Sequence, residues 1–232
     1  MAFNSAVAQC PPCPSAQDVH TLTQVWQTLD AQSCPLVYNF HLHTHCSDGQ
    51  LTPHALIEQA IQIGLKGLAI TDHHSVQGYQ QAARWLNEHV PQGLQPQLWT
   101  GVEITSLLNG VEVHILGYGF DPQQAAIAPY LTGKAPQGAA AQAATVIQAL
   151  QQAGGLAVLA HPARYRRPYS ELIPAAAAAG INGIETYYAY RKEKPWQPTP
   201  NLTPEIEAMV DALGLLRTCG TDTHGLNLLL RI

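Results

Sequence analysis

Two imidazoles and a carboxylate stand close together in His41-Leu42-His43, followed by Asp48 in the stretch HLHTHCSDG. The stretch closes an apolar run, Leu36 to Phe40, that reads as a buried strand. On a strand, residues i and i+2 point to one face, so His41 and His43 aim at the same spot. Neutral imidazole plus carboxylate suits a borderline divalent cation such as Zn²⁺, Mn²⁺ or Fe²⁺. The plain alternative for this segment taken alone is a solvated polar loop after a core strand.

The rest of the chain repeats the arrangement. A helix is expected over 16–31, with Ser15 as its N-cap, and a second from Leu56 to Gly64. Then come a strand Leu65–Thr71, a helix Val76–His89 and a strand Gln97–Ile104. Val111–Tyr118 pairs back across the Asn109-Gly110 turn, a hairpin signal. Helices are expected at Ala139–Gln152, Ser170–Ala179 and Pro204–Leu213, and strands at Leu156–Ala160, Gly183–Thr186 and Leu215–Cys219. Seven strands mostly separated by helices predict an α/β fold with a parallel sheet or barrel, whose functional residues gather after the strand C-termini.

Polar residues fall at those ends: His41 and His43, Asp72-His73-His74, Glu103, His161, Glu185, then Asp222 and His224, with His114 inside a strand. Each has a simpler explanation alone. His73 or His74 could cap a helix, Glu103 could pair with a rim cation, His114 could be a hydrogen-bonded core residue and His161 could mark a turn before Pro162. Convergence on one face argues for a site, because buried charges and imidazoles need compensation. His20, His54 and His89 lie away from strand ends and read as surface residues.

Composition narrows the partners. The 232 residues are 46% hydrophobic and 12% charged, with a formal charge of −5 and no long basic run. A phosphate-neutralising stripe for duplex nucleic acid is absent, and no apolar window has the length to span a bilayer. Met1 to Ser5 lacks a charged n-region and apolar core, so the cytoplasm is expected, where five cysteines stay reduced. Cys10 and Cys13 have redox-motif spacing but precede every recognisable helix, so residues 1–15 read as a flexible leader. Residues 16–35 read as a helix packing on the domain that follows, 36–232.

Taken in order, HLHTHCSDG, GLAITDHH, GVEIT, VEVHILGYG, AHPARY and GTDTH resemble the motifs of the PHP family, the polymerase and histidinol phosphatase superfamily of metal-dependent phosphoesterases. The resemblance covers about Tyr38 to Gly225. It implies a distorted (β/α)7 barrel with two to three divalent metals (Mn, Fe or Zn) at the strand C-termini. His41, His43, Glu103 and Asp222 would hold one metal. Glu103 would bridge to a second, completed by His114 and His161, and Asp48, His73 and His224 would hold the third. Metal-activated water or hydroxide would attack phosphorus, with Glu103, Asp222 and His224 acting through the metals.

AHPARY followed by GINGIETYY looks most like the small nucleotide-phosphatase and 5′-3′ exoribonuclease branch. Arg164 suits a substrate phosphate through its planar fork; Arg166 and Arg167 are weaker candidates. The family often has Asp before the opening pair, where this chain has Asn39-Phe40, and Asp in the place of His74, which weakens the third site. The segment between His114 and His161 is short, implying a smaller lid and a more open site. The expected activity is hydrolysis of a phosphate ester of a nucleotide or other small phosphorylated metabolite. The alternatives are a histidinol-phosphatase-like monoesterase with Glu185 near the amine, an exoribonuclease stacking short single-stranded RNA on Tyr165, Tyr187, Tyr188 or Trp196, and a non-catalytic binding module. Retention of all nine candidate ligands weighs against the module. The oligomeric state stays open.

Overall fold

In a computed structural model, residues 14–191 and 194–232 are described. Cys10 and Cys13 lie outside them. The described residues open with a 3₁₀ turn, Pro14–Gln17, followed by α1, Val19–Trp26. The N-cap of α1 is Asp18, which accepts from the Thr21 backbone N–H at 2.9 Å, and not the expected Ser15, which lies in the 3₁₀ turn. The helix is also shorter than the expected 16–31, ending at Trp26.

The first sheet is parallel, with order β1 (Tyr38–Asn39), β2 (Gly67–Ala69), β3 (Gln97–Trp99). Helix α2 (Pro53–Ile63) links β1 to β2, and α3 (Gln77–His89) links β2 to β3. Thr52 caps α2 by accepting from the Ala55 N–H, Pro53 opens its first turn, and Gly64 closes it at φ 84°. Its apolar stripe, Leu56, Ile57 and Ala60, is fully buried. Thr52→Ala should lower the stability of the folded chain by about 1 kcal/mol, read as a shift in the denaturant midpoint without a change in slope.

The second sheet has order β4 (Gly101–Leu108), β5 (Val111–Tyr118), β6 (Leu156–Leu159), β7 (Gly183–Tyr187), β8 (Leu216–Cys219). Its first three strands pair antiparallel and its last three parallel. Helices α4 (Ala143–Gln152), α5 (Tyr169–Ala178) and α6 (Thr203–Ala212) precede β6, β7 and β8. The single strand expected over Gln97–Ile104 is broken at Thr100. Its N–H donates to Ala16 O at 3.0 Å, and a Cβ at the next residue, Gly101, would sit 2.4 Å from Ile70 O. The described residues therefore hold eight strands and not seven.

The sheets meet at two seams. His73 and Glu103 bridge in parallel on one side, and Leu42 and Thr223 on the other, extended by Phe40 N–H to Cys219 O at 3.0 Å and Asp222 N–H to His41 O at 2.9 Å. One buried cluster draws Phe40, Ala69, Trp99, Leu116, Val158, Tyr187 and Cys219 from both sheets and adds Leu22 and Trp26 of α1. Trp26 meets Phe40 and Tyr118 edge-on, at 5.8 and 5.1 Å between ring centroids. The result is a mixed α/β fold in which α1 packs against side chains contributed by both sheets.

Candidate metal centre

The residues that follow β1, β2, β6 and β8, with one side chain each from β4, β5 and β7, come together. Glu103 is the hub. Its Oε2 lies 3.0 Å from Nε2 of both His41 and His43 and 3.6 Å from that of His73. Its Oε1 lies 2.7 Å from His114 Nδ1 and 3.3 Å from His161 Nε2. His114 stands opposite Thr105 in the antiparallel register, which makes it the diagonal neighbour of Glu103. Asp222 Oδ1 completes the inner set at 3.4 Å from His41 and 3.3 Å from His43.

The outer set forms around Asp48, whose Oδ2 is 3.2 Å from His224 Nε2 and 3.7 Å from His73 Nε2. The loop carrying Asp48 is fixed by Asp72, which is fully buried and accepts from Thr44 N–H, Thr44 Oγ1 and Ser47 Oγ at 2.7, 2.7 and 2.8 Å. Asp72 thus shapes the site without joining it. The backbone is strained where it delivers ligands: His161 and Asp222 are non-glycine residues at φ 27° and 53°. Gly220 is required at the seam, since a Cβ there would lie 2.1 Å from that of His41.

Ligand atoms converge in three overlapping groups: His41, His43, Glu103 and Asp222; His43, Asp48, His73 and His224; and His73, Glu103 and His114. The donor set fits a divalent cation. Both ring nitrogens of His43 and Nδ1 of His161 are buried without a hydrogen-bond partner among the described residues. His43 Nε2 approaches Glu103 at 3.0 Å yet misses hydrogen-bonding geometry, as two groups aimed at a shared cation do. His41 is oriented from behind, its Nδ1 2.8 Å from Oε1 of Glu185, whose Oε2 accepts the His161 N–H at 2.7 Å.

The electrostatics follow from crowding. Burial pushes Glu103 up, but His41 and His114 outweigh it and hold the carboxyl well below the usual range. Asp222 is likewise held well below its usual range against burial, chiefly by His41 and His43. Burial opposes the charge on His43, yet its contacts with Asp222 and Glu103 raise it to about 9. For His73 burial prevails and pushes it down to about 4. The two imidazoles therefore differ in how they must give up a proton to bind a cation.

The PHP domain profile matches residues 39–200, more than half of the chain. The chain belongs to the PHP family. Asp222 and His224 lie beyond the matched segment, and their place beside the other PHP residues comes from the distances above. The 5′-3′ exoribonuclease Rnm of Escherichia coli K12 is 37% identical over 86 residues, 37% of this chain and 28% of that protein. The 3′,5′-nucleoside bisphosphate phosphatase of Chromobacterium violaceum is 37% identical over 90 residues, 39% of this chain and 30% of that protein. These alignments span about a third of each relative's length. Among solved structures, a protein of Bifidobacterium adolescentis assigned as a metal-dependent phosphoesterase shares the fold, with TM-score 0.66 and 24% identity over 82% of this chain and 88% of its own.

Several expected details change. The third PHP group recruits His43, and His73 joins Glu103 and His114 where His161 was expected. His161 nonetheless stays 3.3 Å from Glu103. His74 points its Nε2 at Thr105 Oγ1, 3.1 Å away, and is not in any of the three groups. Arg164 reaches the site, with Nη1 2.9 Å from Asp222 Oδ2. Arg166 is exposed with no contact to the cluster. Arg167 is tied to Glu171 at 2.8 Å and to Asn109 O on the hairpin turn, so it is engaged elsewhere. Two further side chains reach the site: Tyr188, expected only as a stacking surface, donates its hydroxyl to Asp222 Oδ2 at 2.7 Å, and Arg231, which no motif marked, donates Nε to the same oxygen at 2.8 Å. A separate cavity of ≈ 650 Å³, lined by Tyr79, Leu86, Gln95 and Leu98, holds none of these ligands.

Proposed function

We propose that this chain is a metal-dependent phosphoesterase that hydrolyses a phosphate ester of a nucleotide or another small phosphorylated metabolite. The observation that carries the reading is the sharing of Glu103 between two groups of ligand atoms that overlap a third, with an arginine on the adjoining carboxylate. Two to three cations, Mn, Fe or Zn, would be held by His41, His43, Asp48, His73, Glu103, His114, His161, Asp222 and His224. When bound, such cations supply Lewis acidity and a water nucleophile near neutral pH.

The side chains do the rest. Glu185 fixes the ring of His41, so that Nε2 faces the cluster. Asp72 holds the Asp48 loop, and Arg164 places positive charge where a phosphate oxygen would lie. The seams at Leu42–Thr223 and His73–Glu103 support closing the two sheets into a distorted barrel with these residues at one end.

The relatives give this reading its substrate class, since one is a 3′,5′-nucleoside bisphosphate phosphatase. A second reading, 5′-3′ exoribonuclease action on short RNA, is favoured by the 37% identity to Rnm. Base stacking adds little to it: Tyr187, Tyr188 and Trp196 are 1, 1 and 7% exposed, which leaves only the half-buried Tyr165 of the four expected aromatics. Histidinol-phosphatase-like action loses its amine partner, because Glu185 is buried between His41 and the His161 backbone. Competition between a nucleoside 3′,5′-bisphosphate and a 5′-phosphorylated RNA oligomer decides between the two nucleotide readings. The first predicts a higher kcat/KM for the bisphosphate, and release of successive mononucleotides from the oligomer at greater efficiency would overturn it.

A further inference from the structure

We propose that Arg231 joins Arg164, already assigned to substrate phosphate, in an anion seat beside the metal cluster; this rests on the phosphoesterase reading above. The seat is built on Asp222, whose two oxygens face different ways. Oδ1 turns to His41 and His43, while Oδ2 receives Arg164 Nη1 at 2.9 Å, Arg231 Nε at 2.8 Å and the Tyr188 hydroxyl at 2.7 Å. A carboxylate that needed only neutralising would be served by one guanidinium. Here two guanidiniums and a phenol crowd one oxygen, so two positive charges converge on a single carboxylate.

Both guanidiniums also keep donors in hand. Arg164 spends only Nη1, on Asp222 and on the Tyr188 hydroxyl at 3.2 Å, and Arg231 spends only Nε among the described residues. The remaining N–H groups belong to side chains that are 37 and 21% exposed. A guanidinium edge with two parallel N–H groups matches a phosphate bidentately, which an ammonium does not. Arg231 is held for the purpose. Its carbonyl accepts the His224 N–H at 2.8 Å, and the neighbouring Leu230 carbonyl accepts from Thr223 Oγ1 at 2.8 Å, pinning this segment to the strand end that carries Asp222 and His224.

The test is titration of inorganic phosphate, followed calorimetrically, into wild-type, Arg231→Ala and Arg231→Lys proteins, each as purified with metal and after chelation. Metal content and thermal midpoint are measured alongside. The seat predicts phosphate affinity about tenfold weaker or more in Arg231→Ala, only partly restored in Arg231→Lys, at unchanged metal content. It also predicts residual phosphate binding by the chelated wild type that Arg231→Ala lacks. A purely structural Arg231 predicts loss of metal or of thermal stability with phosphate affinity intact at matched occupancy, and that result overturns the seat. If Arg231→Ala fails to fold, Arg231→Lys decides, since affinity equal to wild type contradicts a bidentate contact. Absence of turnover on every phosphate ester, with the binding pattern as predicted, would sink the phosphoesterase reading and leave the anion seat standing.

Discussion

Glu103→Gln is expected to lower phosphate-ester turnover by about a thousandfold or more, roughly 4 kcal/mol of lost transition-state stabilisation. Among the described residues, Glu103 is the one side chain whose two oxygens face His41, His43, His73, His114 and His161 together. Glutamine keeps the volume, so the packing around a 1% exposed side chain is preserved. It removes the charge, however, and turns an amide N–H₂ toward cation sites. Metal bound per chain should fall with activity, because Glu103 belongs to two of the three ligand groups. Steady-state phosphate release and elemental analysis of the same preparation check this. Full activity at full metal content would mean that Glu103 is only a buried counter-ion to the histidines.

The second large effect is on pH. The His43 proton, held to about 9 in the metal-free protein, must leave before the ring can ligate. Metal affinity should therefore weaken about tenfold for each unit that pH falls below about 9, and more steeply if His41, also raised, gives up a proton too. His73, pushed down to about 4, is neutral across this range and adds no slope. The metal-free fold should behave in the opposite sense. A histidine raised on folding contributes its stability fully below its unfolded value near 6.5 and loses it as pH rises through about 9, on the order of 3 kcal/mol for His43. Thermal midpoints of the chelated protein should thus drop between pH 7 and 10 while those of the metal-loaded protein hold. Competition with a chromophoric chelator across the same range measures the affinity slope, and a flat line would contradict the coupling.

Several candidate ligands stood out because they follow an apolar run, where a local pattern marks both the strand and its polar terminus. His41, His161 and Asp222 follow β1, β6 and β8, whereas Glu103 lies near the start of β4 and His114 within β5, positions that strand ends alone do not mark. The break at Thr100 was not legible, because its cause is a carbonyl of Ala16 far away in sequence. The helix expected over Ala139–Gln152 begins at Ala143, after a 3₁₀ turn, Gly138–Ala141. Gln142 is extended between them and bridges Leu107 of β4, another tertiary demand. Arg231 carried no motif and Tyr188 was expected only as a stacking surface, so nothing local tied either to Asp222. Arg167 shows the converse: a plausible neighbour of Arg164 in sequence, it is drawn off by an i,i+4 partner, Glu171.

Phosphate release with Mn²⁺ decides whether this cluster is a phosphoesterase centre, measured across nucleoside monophosphates, nucleoside 3′,5′-bisphosphates, histidinol phosphate and a 5′-phosphorylated RNA oligomer, with an Asp222→Asn/His224→Ala variant run beside the wild type. Turnover of a nucleotide substrate is expected from the wild type and none from the variant, whose two losses strike two of the three ligand groups. Equal release by the two proteins, at any level, would contradict a phosphoesterase centre built on these residues.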